Sequence, residues 1–308
     1  MKLGIALSGG GAKGFAHIGV LSVLKKAGIE FSAVSGTSMG AFVGAFYAAG
    51  KLRELQQGAV GIKLRDIPTL LSPTLSKKGF MSGKKIMKFL EESLEKEEIE
   101  ELDKKYAAVC ADLVNGEVVT FTKGDLISAV RASIAIPGLF TPALVNNRLL
   151  IDGGILEPLP VRAVRELGSD FVVGVDVITG SIGDAGVRER ETNSDAMGID
   201  SALNSKNENI KSFAKCDENK SIDEKDSKRI RDKLNVVSIL KRVILLNQKQ
   251  LIGHILELFP VDFLIRPDVT AVGVPDFHRA EHIIEIGKTE AEKIKNELKD
   301  MISKADLK

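Results

Sequence analysis

Residues 31–50, FSAVSGTSMGAFVGAFYAAG, combine a short apolar run, a glycine turn and an Ala- and Phe-rich segment of helical length. This order predicts a buried strand, a tight turn and a helix over Met39–Ala49. The turn has the form G-x-S-x-G, with Gly36 and Gly40 on either side of Ser38. Small flanking residues are needed because a serine in such a sharp strand-to-helix turn adopts a strained backbone conformation. The stretch therefore predicts that Ser38 is a nucleophile at a helix start, whose positive dipole end would stabilise a nearby oxyanion.

The same order of elements occurs once earlier in the chain. Leu3–Leu7 is a compact apolar run, the loop SGGGAKG follows, and apolar residues recur at helical spacing over Phe15–Ala27. Two strand–loop–helix units in succession predict a layered α/β fold with a mainly parallel sheet. The loop Gly9–Gly14 fits the G-x-G-x-x-G pattern of dinucleotide-binding proteins, and Glu30 lies near the position of a ribose-binding acid. A sterically required tight turn, or a row of backbone N–H groups that binds an anion, explains the loop equally well.

A serine nucleophile needs a base, and the chain contains four histidines. His17 lies on the predicted helix after the glycine loop, where packing is the favoured role. His254 lies among apolar residues, which favours a structural role. His278 and His282 are four residues apart on a polar helix, but the sequence places no third metal ligand near them. None of the four is a strong candidate for the base.

The sequence LLIDGG at 149–154 offers a different base, an aspartate that ends an apolar strand. An aspartate at the carboxyl end of a strand in an α/β sheet points into the crevice where ligands bind. Gly153 and Gly154 let the backbone turn away, so that the carboxylate of Asp152 stays accessible. The pKa of a free aspartate is about 4, and desolvation or a hydrogen bond to Ser38 is needed to make it a useful base. An ordinary aspartate at the start of a turn is the alternative interpretation.

The composition of the 308 residues argues against several classes of protein. Lys and Arg total 43 against 42 Asp and Glu, and a net charge of +1 argues against a nucleic-acid binder. Cys110 and Cys216 form no disulfide framework and lack the spacing of a zinc site. No apolar run approaches the ~18 residues of a membrane span, and the first residues turn glycine-rich too early for a signal peptide. A cytoplasmic protein is therefore expected.

A change of composition marks the second half of the chain. Of the 55 residues from 181 to 235, 23 are charged, which predicts a mobile polar insertion. Residues 236–308 after it are expected to form helices and a strand that pack on the core. Elsewhere, apolar patterns predict a helix over 84–105 and strands over 106–122, 148–152 and 171–177.

Taken together and in this order, the three glycine motifs resemble those of the patatin-like phospholipase family, and of its small bacterial members in particular. That family carries a G-G-G-x-[K/R]-G loop, a G-x-S-x-G turn and a D-G-[A/G] motif, which correspond here to Gly9–Gly14, Gly36–Gly40 and Asp152–Gly154. The segment ASIAIPG at 132–138 is also similar to the family. The resemblance covers about residues 3–178, and it implies a three-layer patatin-like fold in which this part is the catalytic domain.

The resemblance implies a catalytic dyad of serine and aspartate that works without histidine. In that mechanism Ser38 attacks an ester carbonyl and Asp152 accepts the proton of the serine. Backbone N–H groups of the glycine loop, drawn from Gly9, Gly10 and Gly11, would form the oxyanion hole. The residue after Ser38 is expected to contribute as well.

Other motif positions are expected to support this site. Lys13 would stabilise the loop or meet a lipid phosphate, and Gly14 would allow a helix to pack closely on the sheet. Met39 stands where the family commonly has alanine, and its larger side chain would narrow the acyl site. The resemblance implies no metal and no cofactor. The supporting glycines of the second and third motifs are Gly36, Gly40, Gly153 and Gly154.

The leading expectation is a serine acyl hydrolase that cleaves (lyso)phospholipids or related lipid esters through an acyl-enzyme. The alternatives are a regulatory or partner-binding protein with the same fold and little catalysis, and a dinucleotide-dependent oxidoreductase. The expected partner is a lipid substrate, with transient contact at a membrane surface, no nucleic acid and no predicted oligomeric state. Residues 236–246 fit a helix at a bilayer surface, but a core helix is favoured. Residues 67–80 are a further candidate for a lid or lipid-facing loop.

Overall fold

The computed structural model describes residues 1–67, 84–95, 98–182 and 236–307. Within these ranges the chain forms eight strands and eight helices. The strands are β1 (Leu3–Leu7), β2 (Ala33–Thr37), β3 (Lys105–Asp112), β4 (Val118–Phe121), β5 (Ala143–Val145), β6 (Arg148–Asp152), β7 (Phe171–Val175) and β8 (Phe263–Ile265). The helices are α1 (Phe15–Lys26), α2 (Met39–Ala48), α3 (Leu52–Val60), α4 (Lys84–Leu94), α5 (Leu126–Ser133), α6 (Val161–Glu166), α7 (Val236–Leu258) and α8 (Ala280–Asp306).

The eight strands form one sheet in the order β5-β6-β3-β2-β1-β7-β8, and β4 pairs with β3 outside this order. Strand β1 lies parallel to β2 and β7, β2 lies parallel to β3, and β7 lies parallel to β8. The antiparallel pairs are confined to one end, where β3 meets β4 and β6 and where β6 meets β5. The sheet is therefore mostly parallel, as the two strand–loop–helix units predict.

Helices cover both faces of this sheet. Ile5 and Leu7 of β1 belong to a core that includes side chains of α1, α2 and α8. Ala6, between them, belongs to a second core that includes Val161 of α6 and Ile252 of α7. Successive side chains of a strand point to opposite faces, so these two cores lie on opposite sides of the sheet. The predicted three-layer α/β fold is confirmed.

The C-terminal helix α8 lies against α1 with the two backbones in close contact. A Cβ atom at Gly19 would lie 2.1 Å from the carbonyl oxygen of Ile284, and one at Gly287 would lie 2.0 Å from that of Ala16. No side chain fits at these distances, so the two glycines permit the approach. The last helix thereby completes the core around α1.

The strand predicted over 106–122 is a hairpin, formed by β3 and β4. At its turn the carboxylate of Asp112 accepts hydrogen bonds from the backbone N–H groups of Val114 and Asn115, at 2.9 and 3.0 Å. Aspartate caps a turn in this way when its side chain bonds to the backbone two residues on. The pair Asn115-Gly116 is a common hairpin-turn sequence, and it is the signal in the sequence that could have predicted this turn.

Other predicted elements differ in extent or fall outside the described residues. The helix predicted over 84–105 ends at Leu94, and a short 3₁₀ turn at Ile99–Glu101 follows it before β3 begins. The predicted polar insertion at 181–235 lies outside the described residues from 183 onward. The same holds for residues 68–80 of the predicted lipid-facing loop.

The expected core position of residues 236–246 holds only in part, since Leu245 packs against the core that includes Ile252 whereas several other side chains of the segment are exposed. Ile239, Leu240, Val243 and Leu246 on the first half of α7 are between 40% and 55% exposed. Ile252 on the second half is fully buried against the sheet. The first half of α7 therefore packs against the core through Leu245 and presents four apolar side chains at the surface.

Candidate functional site

Ser38 occupies the turn between β2 and α2 in the strained conformation that the G-x-S-x-G motif predicts. Its φ and ψ are 56° and −124°, a positive φ that side chains rarely adopt. A Cβ at Gly36 would lie 2.3 Å from the carbonyl oxygen of Gly40, and a Cβ at Gly40 would lie 2.2 Å from that of Leu7. Both flanking positions therefore require glycine, and the predicted geometry of the turn is confirmed.

Ser133, the last residue of α5, fixes the backbone of this turn. The N–H of Ser38 donates to Oγ of Ser133 at 2.9 Å, and the Ser133 hydroxyl donates to the carbonyl of Val109 at 2.6 Å. All three residues are buried. The sequence prediction missed this role, although Ser133 lies inside the segment 132–138 that was singled out.

We expect Ser133→Ala to destabilise the protein by about 1–3 kcal/mol, because it leaves the buried N–H of Ser38 without its partner. Chemical denaturation monitored by circular dichroism measures this loss. Ser22→Ala is the matched control, since the Ser22 hydroxyl only bonds to Ile18 within α1 at a partly buried position. Equal stabilities of the two variants would contradict the role given to Ser133.

Asp152 lies beside the turn that contains Ser38, at the end of a strand that runs antiparallel to β3. Strand β6 is antiparallel to β3, and Asp152 stands opposite Cys110, one residue beyond Val109. Val109 stands opposite Thr37, which directly precedes Ser38. The prediction correctly placed Asp152 at the end of a strand. Because that strand is antiparallel to β3, the rule that ligands bind at the carboxyl ends of parallel strands does not explain the position of Asp152.

The carboxylate of Asp152 is almost fully buried, with 4% of the residue exposed. Oδ1 accepts the N–H of Gly154 at 2.8 Å. Burial raises the pKa of Asp152 to about 6, because a buried carboxylate loses its hydration. Hydrogen bonding by the Ser38 side chain and by the Gly154 N–H opposes this shift, since donors favour the ionised form.

Residues 157–160, shortly after the acid, hold β2 and the glycine loop together through their carbonyl groups. The hydroxyls of Ser35 and Thr37 donate to the carbonyls of Pro160 and Glu157, at 2.7 and 2.8 Å. The N–H of Gly9 donates to the carbonyl of Pro158 at 3.0 Å. The prediction that Gly9 contributes an oxyanion donor is therefore wrong, since its N–H already has a partner.

The N–H groups of Gly10 and Gly11 make no hydrogen bond to any residue that the structure describes. The next N–H, that of Ala12, donates to the carbonyl of Val274 at 3.0 Å. Gly11 and Ser38 both line one pocket, so the loop and the serine share a space. Two N–H groups of the loop thus remain for a developing negative charge.

The other motif residues pack around this centre. Lys13 is buried, and a Cβ at Gly14 would collide with the side chain of Met39, so Gly14 allows close packing with the start of α2 rather than the predicted packing of a helix on the sheet. A Cβ at Gly153 would lie 2.3 Å from the carbonyl oxygen of Val109, which ties the acidic turn to β3. These contacts bring the three sequence motifs together at one point.

Histidine takes no part at this centre. His17 is fully buried and its Nε2 lies 2.9 Å from the carbonyl oxygen of Ser8, so the ring packs under the glycine loop, as predicted. Burial lowers the pKa of His17 to about 4, which keeps the ring neutral. His254, expected to be structural among apolar residues, is exposed and lies 3.6 Å from Glu257. Among the described residues no group of three or more His, Cys, Asp or Glu side chains is placed to bind a metal ion.

The pocket beside Ser38 is almost wholly apolar and has a volume of about 180 Å³. Ser38 is the one hydroxyl-bearing residue among those described that line it. The Met39 side chain lines it as well, as the sequence suggested. Its apolar walls come from α1–α4, from the segment after α5 and from Phe277, and include Phe15, Phe42, Leu55, Ile62, Ile86, Phe89, Ile134, Ile136 and Phe140.

Two further expectations, one about a ribose-binding acid and one about membrane spans, can be compared with the structure. Glu30, the candidate ribose-binding acid, is exposed and pairs with Lys104 at 3.6 Å, so a packing and anion-binding role explains the glycine loop better. None of the helices in the described ranges is long and apolar enough to cross a membrane.

Comparisons with known proteins agree with the motifs. The family model described as patatin-like phospholipase matches residues 5–165. An uncharacterized NTE family protein of Mycobacterium tuberculosis is 30% identical over 93% of this chain and 89% of its own length. The Lysophospholipase nte1 of Neurospora crassa is 31% identical over 59% of this chain, which corresponds to 12% of that much longer protein. The solved structure of VipD from Legionella pneumophila is 16% identical, with a TM-score of 0.44 over 96% of this chain and 67% of that one.

The family match covers more than half of the chain, and the mycobacterial relative is similar over nearly its whole length. These similarities support a hydrolase that acts on lipid esters. The chain belongs to the patatin-like phospholipase family.

Proposed function

We propose that the protein is a serine acyl hydrolase that cleaves carboxylic esters of (lyso)phospholipids or related lipids. The observation that carries this proposal is the position of Ser38, which stands in a strained turn, at an apolar pocket and beside a buried carboxylate. A fatty-acyl chain fits such a pocket chemically, because its transfer out of water is favourable. The pairing of Ser38 and Asp152 supplies a nucleophile and a base at the end of that pocket.

In the proposed first step, the carboxylate of Asp152 removes the proton from Oγ of Ser38 as the oxygen attacks the ester carbonyl. The carbonyl oxygen becomes an oxyanion, for which the free N–H groups of Gly10 and Gly11 are the donors, with that of Met39 at the start of α2. Asp152 then gives the proton to the departing alcohol, the glycerol-containing part of the lipid. The acyl group stays on Ser38 until a water molecule, deprotonated by Asp152, attacks its carbonyl carbon. The bond to Oγ of Ser38 then breaks, the fatty acid leaves, and Asp152 returns the proton to Oγ.

The raised pKa of Asp152 supports its assignment as the base. A carboxylate with a pKa near 4 is a poor acceptor for a hydroxyl proton, whereas one with a pKa of about 6 accepts it more readily. The group is still ionised at pH 7 and above. Burial therefore strengthens the base without protonating it at neutral pH.

The experiment that tests this function is fatty-acid release from lysophospholipids and diacyl phospholipids by the wild-type chain and by its Ser38→Ala variant. A metal chelator is present throughout. Release by the wild type alone supports the serine mechanism. If neither protein releases fatty acid, the serine mechanism is contradicted, and the regulatory alternative with the same fold is favoured.

We also propose that the first half of α7 makes transient contact with a lipid surface. Its exposed side chains Ile239, Leu240, Val243 and Leu246 are apolar, and the sequence interleaves Lys241 and Arg242 with them. A Cβ at Gly138 would lie 3.1 Å from the Leu240 side chain, so α7 borders the segment that lines the pocket. An apolar surface beside an acyl pocket, in a stretch of sequence that also contains two basic residues, suits an anionic bilayer from which the substrate comes.

We expect the double variant Val243→Glu, Leu246→Glu to bind vesicles containing anionic phospholipid at least about tenfold more weakly, because two apolar contacts are replaced by two negative charges. Co-sedimentation with vesicles measures this change. The matched control is Val114→Glu, which places a charge at an exposed apolar residue on the β3–β4 turn instead. Hydrolysis of a monomeric short-chain ester should stay the same in both variants. Unchanged vesicle binding by the double variant would contradict this contact.

A further inference from the structure

Helix α7 reaches the turn that follows Asp152, although α7 lies outside the residues that the family model matches. Nδ2 of Asn247 donates to the carbonyl of Ile155 at 3.2 Å. Its neighbour Gln248 lies against Gly154, where a Cβ atom would be 2.4 Å from Nε2 of Gln248. Two consecutive polar side chains of α7 therefore contact this turn.

The amide of Gln248 and the carboxylate of Asp152 border the same space beside Gly154. The same Cβ position at Gly154 would lie 3.0 Å from Oδ1 of Asp152, so Nε2 and Oδ1 are separated by no more than the sum of the two distances. The nitrogen is nearer to that position than the amide carbon, which lies at 3.4 Å. The N–H end of an amide is its positive end, and it favours an ionised carboxylate nearby.

We infer that Gln248 is a positioning residue for Asp152: its amide packs in the space left by Gly154, holds the acidic turn and favours the charged carboxylate. This inference rests on the proposed function, in which Asp152 is the base. It also explains why glycine stands at position 154, where the resembling motif D-G-[A/G] admits alanine. An alanine here would displace the Gln248 amide.

Among the described residues, few other groups that titrate or carry charge face this carboxylate. Ser38 lies in the turn between β2 and α2, and Cys110 lies opposite Asp152 on β3, with a thiol that stays neutral because burial raises its pKa. On α7 the charged neighbour Lys249 interacts with Arg242 and with Asp176. The pH dependence of Asp152 is therefore a suitable measure of what Gln248 contributes.

The test compares Gln248→Leu, which removes the amide at similar size, with Gln250→Leu at an exposed position of the same helix. For Gln248→Leu we expect the acid limb of kcat/KM for lysophospholipid hydrolysis to move up by about half to one pH unit. The corresponding loss is about threefold at pH 6 and less than about twofold at pH 8.5. Gln248→Glu should move the limb further, since it places a second carboxylate beside the first. Gln250→Leu should leave the profile unchanged.

A second pair of variants tests the packing. Gly154→Ala should reduce kcat/KM in the wild-type background, and by a smaller factor in a Gln248→Ala background, where the added methyl group has room. Equal reductions of kcat/KM by Gly154→Ala in the two backgrounds would contradict a contact between residue 154 and the Gln248 amide.

A titration of the Asp152 carboxyl carbon by ¹³C NMR, in wild type and Gln248→Leu, keeps the inference testable without catalysis. Equal pKa values of Asp152 in the two proteins would overturn it, even if Gln248→Leu were less stable. A wild type that hydrolyses no lipid ester would instead contradict the proposed function, and the NMR titration would still decide whether Gln248 acts on Asp152.

Discussion

Replacing Ser38 by alanine is expected to reduce fatty-acid release by on the order of 10⁴-fold or more, because no acyl-enzyme can form without the hydroxyl. The variant should remain folded, since the N–H of residue 38 still donates to Ser133, and the Asp152 carboxylate, which loses the hydrogen bond from the Ser38 hydroxyl, keeps that from the N–H of Gly154. The measurement is release from a lysophospholipid at pH 8, where Asp152 is ionised, together with a thermal melt of each protein.

The control for this variant is Ser35→Ala, three residues away on β2. Its hydroxyl is buried and bonds to the carbonyl of Pro160, so its loss should cost stability and leave most of the activity. Activity retained in Ser38→Ala would contradict the assignment of the nucleophile. Mass spectrometry of wild type treated with a fluorophosphonate adds a positive test, since the adduct is expected on Ser38.

The sequence was sufficient for the centre of the fold because its signals there are local. Gly36 is required by its contact with Gly40, within one strand, one turn and one helix, so the motif alone predicts Ser38 and its backbone conformation. Gly40 is required by the carbonyl oxygen of Leu7 at the end of the neighbouring strand β1. The apolar run of β1 is likewise buried on both faces, and its five residues were predicted with the observed bounds.

What the sequence did not predict depends on contacts between distant segments. The direction of β6 depends on its pairing with the last residues of β3. The N–H of Gly9 cannot serve the oxyanion because it donates to the carbonyl of Pro158. The N–H of Ser38 is fixed by Ser133, which is 95 residues away in the sequence. Neither partner carries a pattern that distinguishes it from a residue in an ordinary loop or helix end.

The exposed side chains on the first half of α7 were not predicted for a different reason. An apolar run of that length fits a core helix and a surface helix equally well, and only the packing of its second half against the sheet shows which part is buried. Asn247 and Gln248 of the same helix contact the turn after Asp152, and no sequence motif predicts this contact.

The second large effect concerns Asp152→Asn, which should abolish most activity and stabilise the protein. Asparagine has the size of aspartate, can still accept the N–H of Gly154 and can donate to Oγ of Ser38. It cannot take the serine proton, so we expect a loss of on the order of 10³-fold or more in kcat. Fatty-acid release at pH 8 measures this loss.

The expected stability change follows from the raised pKa of Asp152. The folded protein holds this proton up to about pH 6, whereas the unfolded chain releases it near the ordinary aspartate pKa of 3.8. The native state therefore binds more protons between these values, and the wild type loses stability as pH rises through that window. The loss amounts to about 3 kcal/mol at pH 7 and above, and the asparagine variant does not undergo it.

Thermal melts of wild type and Asp152→Asn across pH 4 to 8 should accordingly diverge, with similar midpoints near pH 4 and a higher midpoint for the variant at pH 7. Asp112→Asn is a control with the opposite sign. The backbone N–H of Asn115 and the Arg148 guanidinium lower the pKa of Asp112 to about 2, so its replacement should destabilise the protein at neutral pH. A variant at position 152 that is less stable than wild type at pH 7 would show that the carboxylate is not held in its site at a cost. An active site that keeps a desolvated base trades stability for reactivity, and Asp152→Asn separates the two because it removes the charge and leaves the shape.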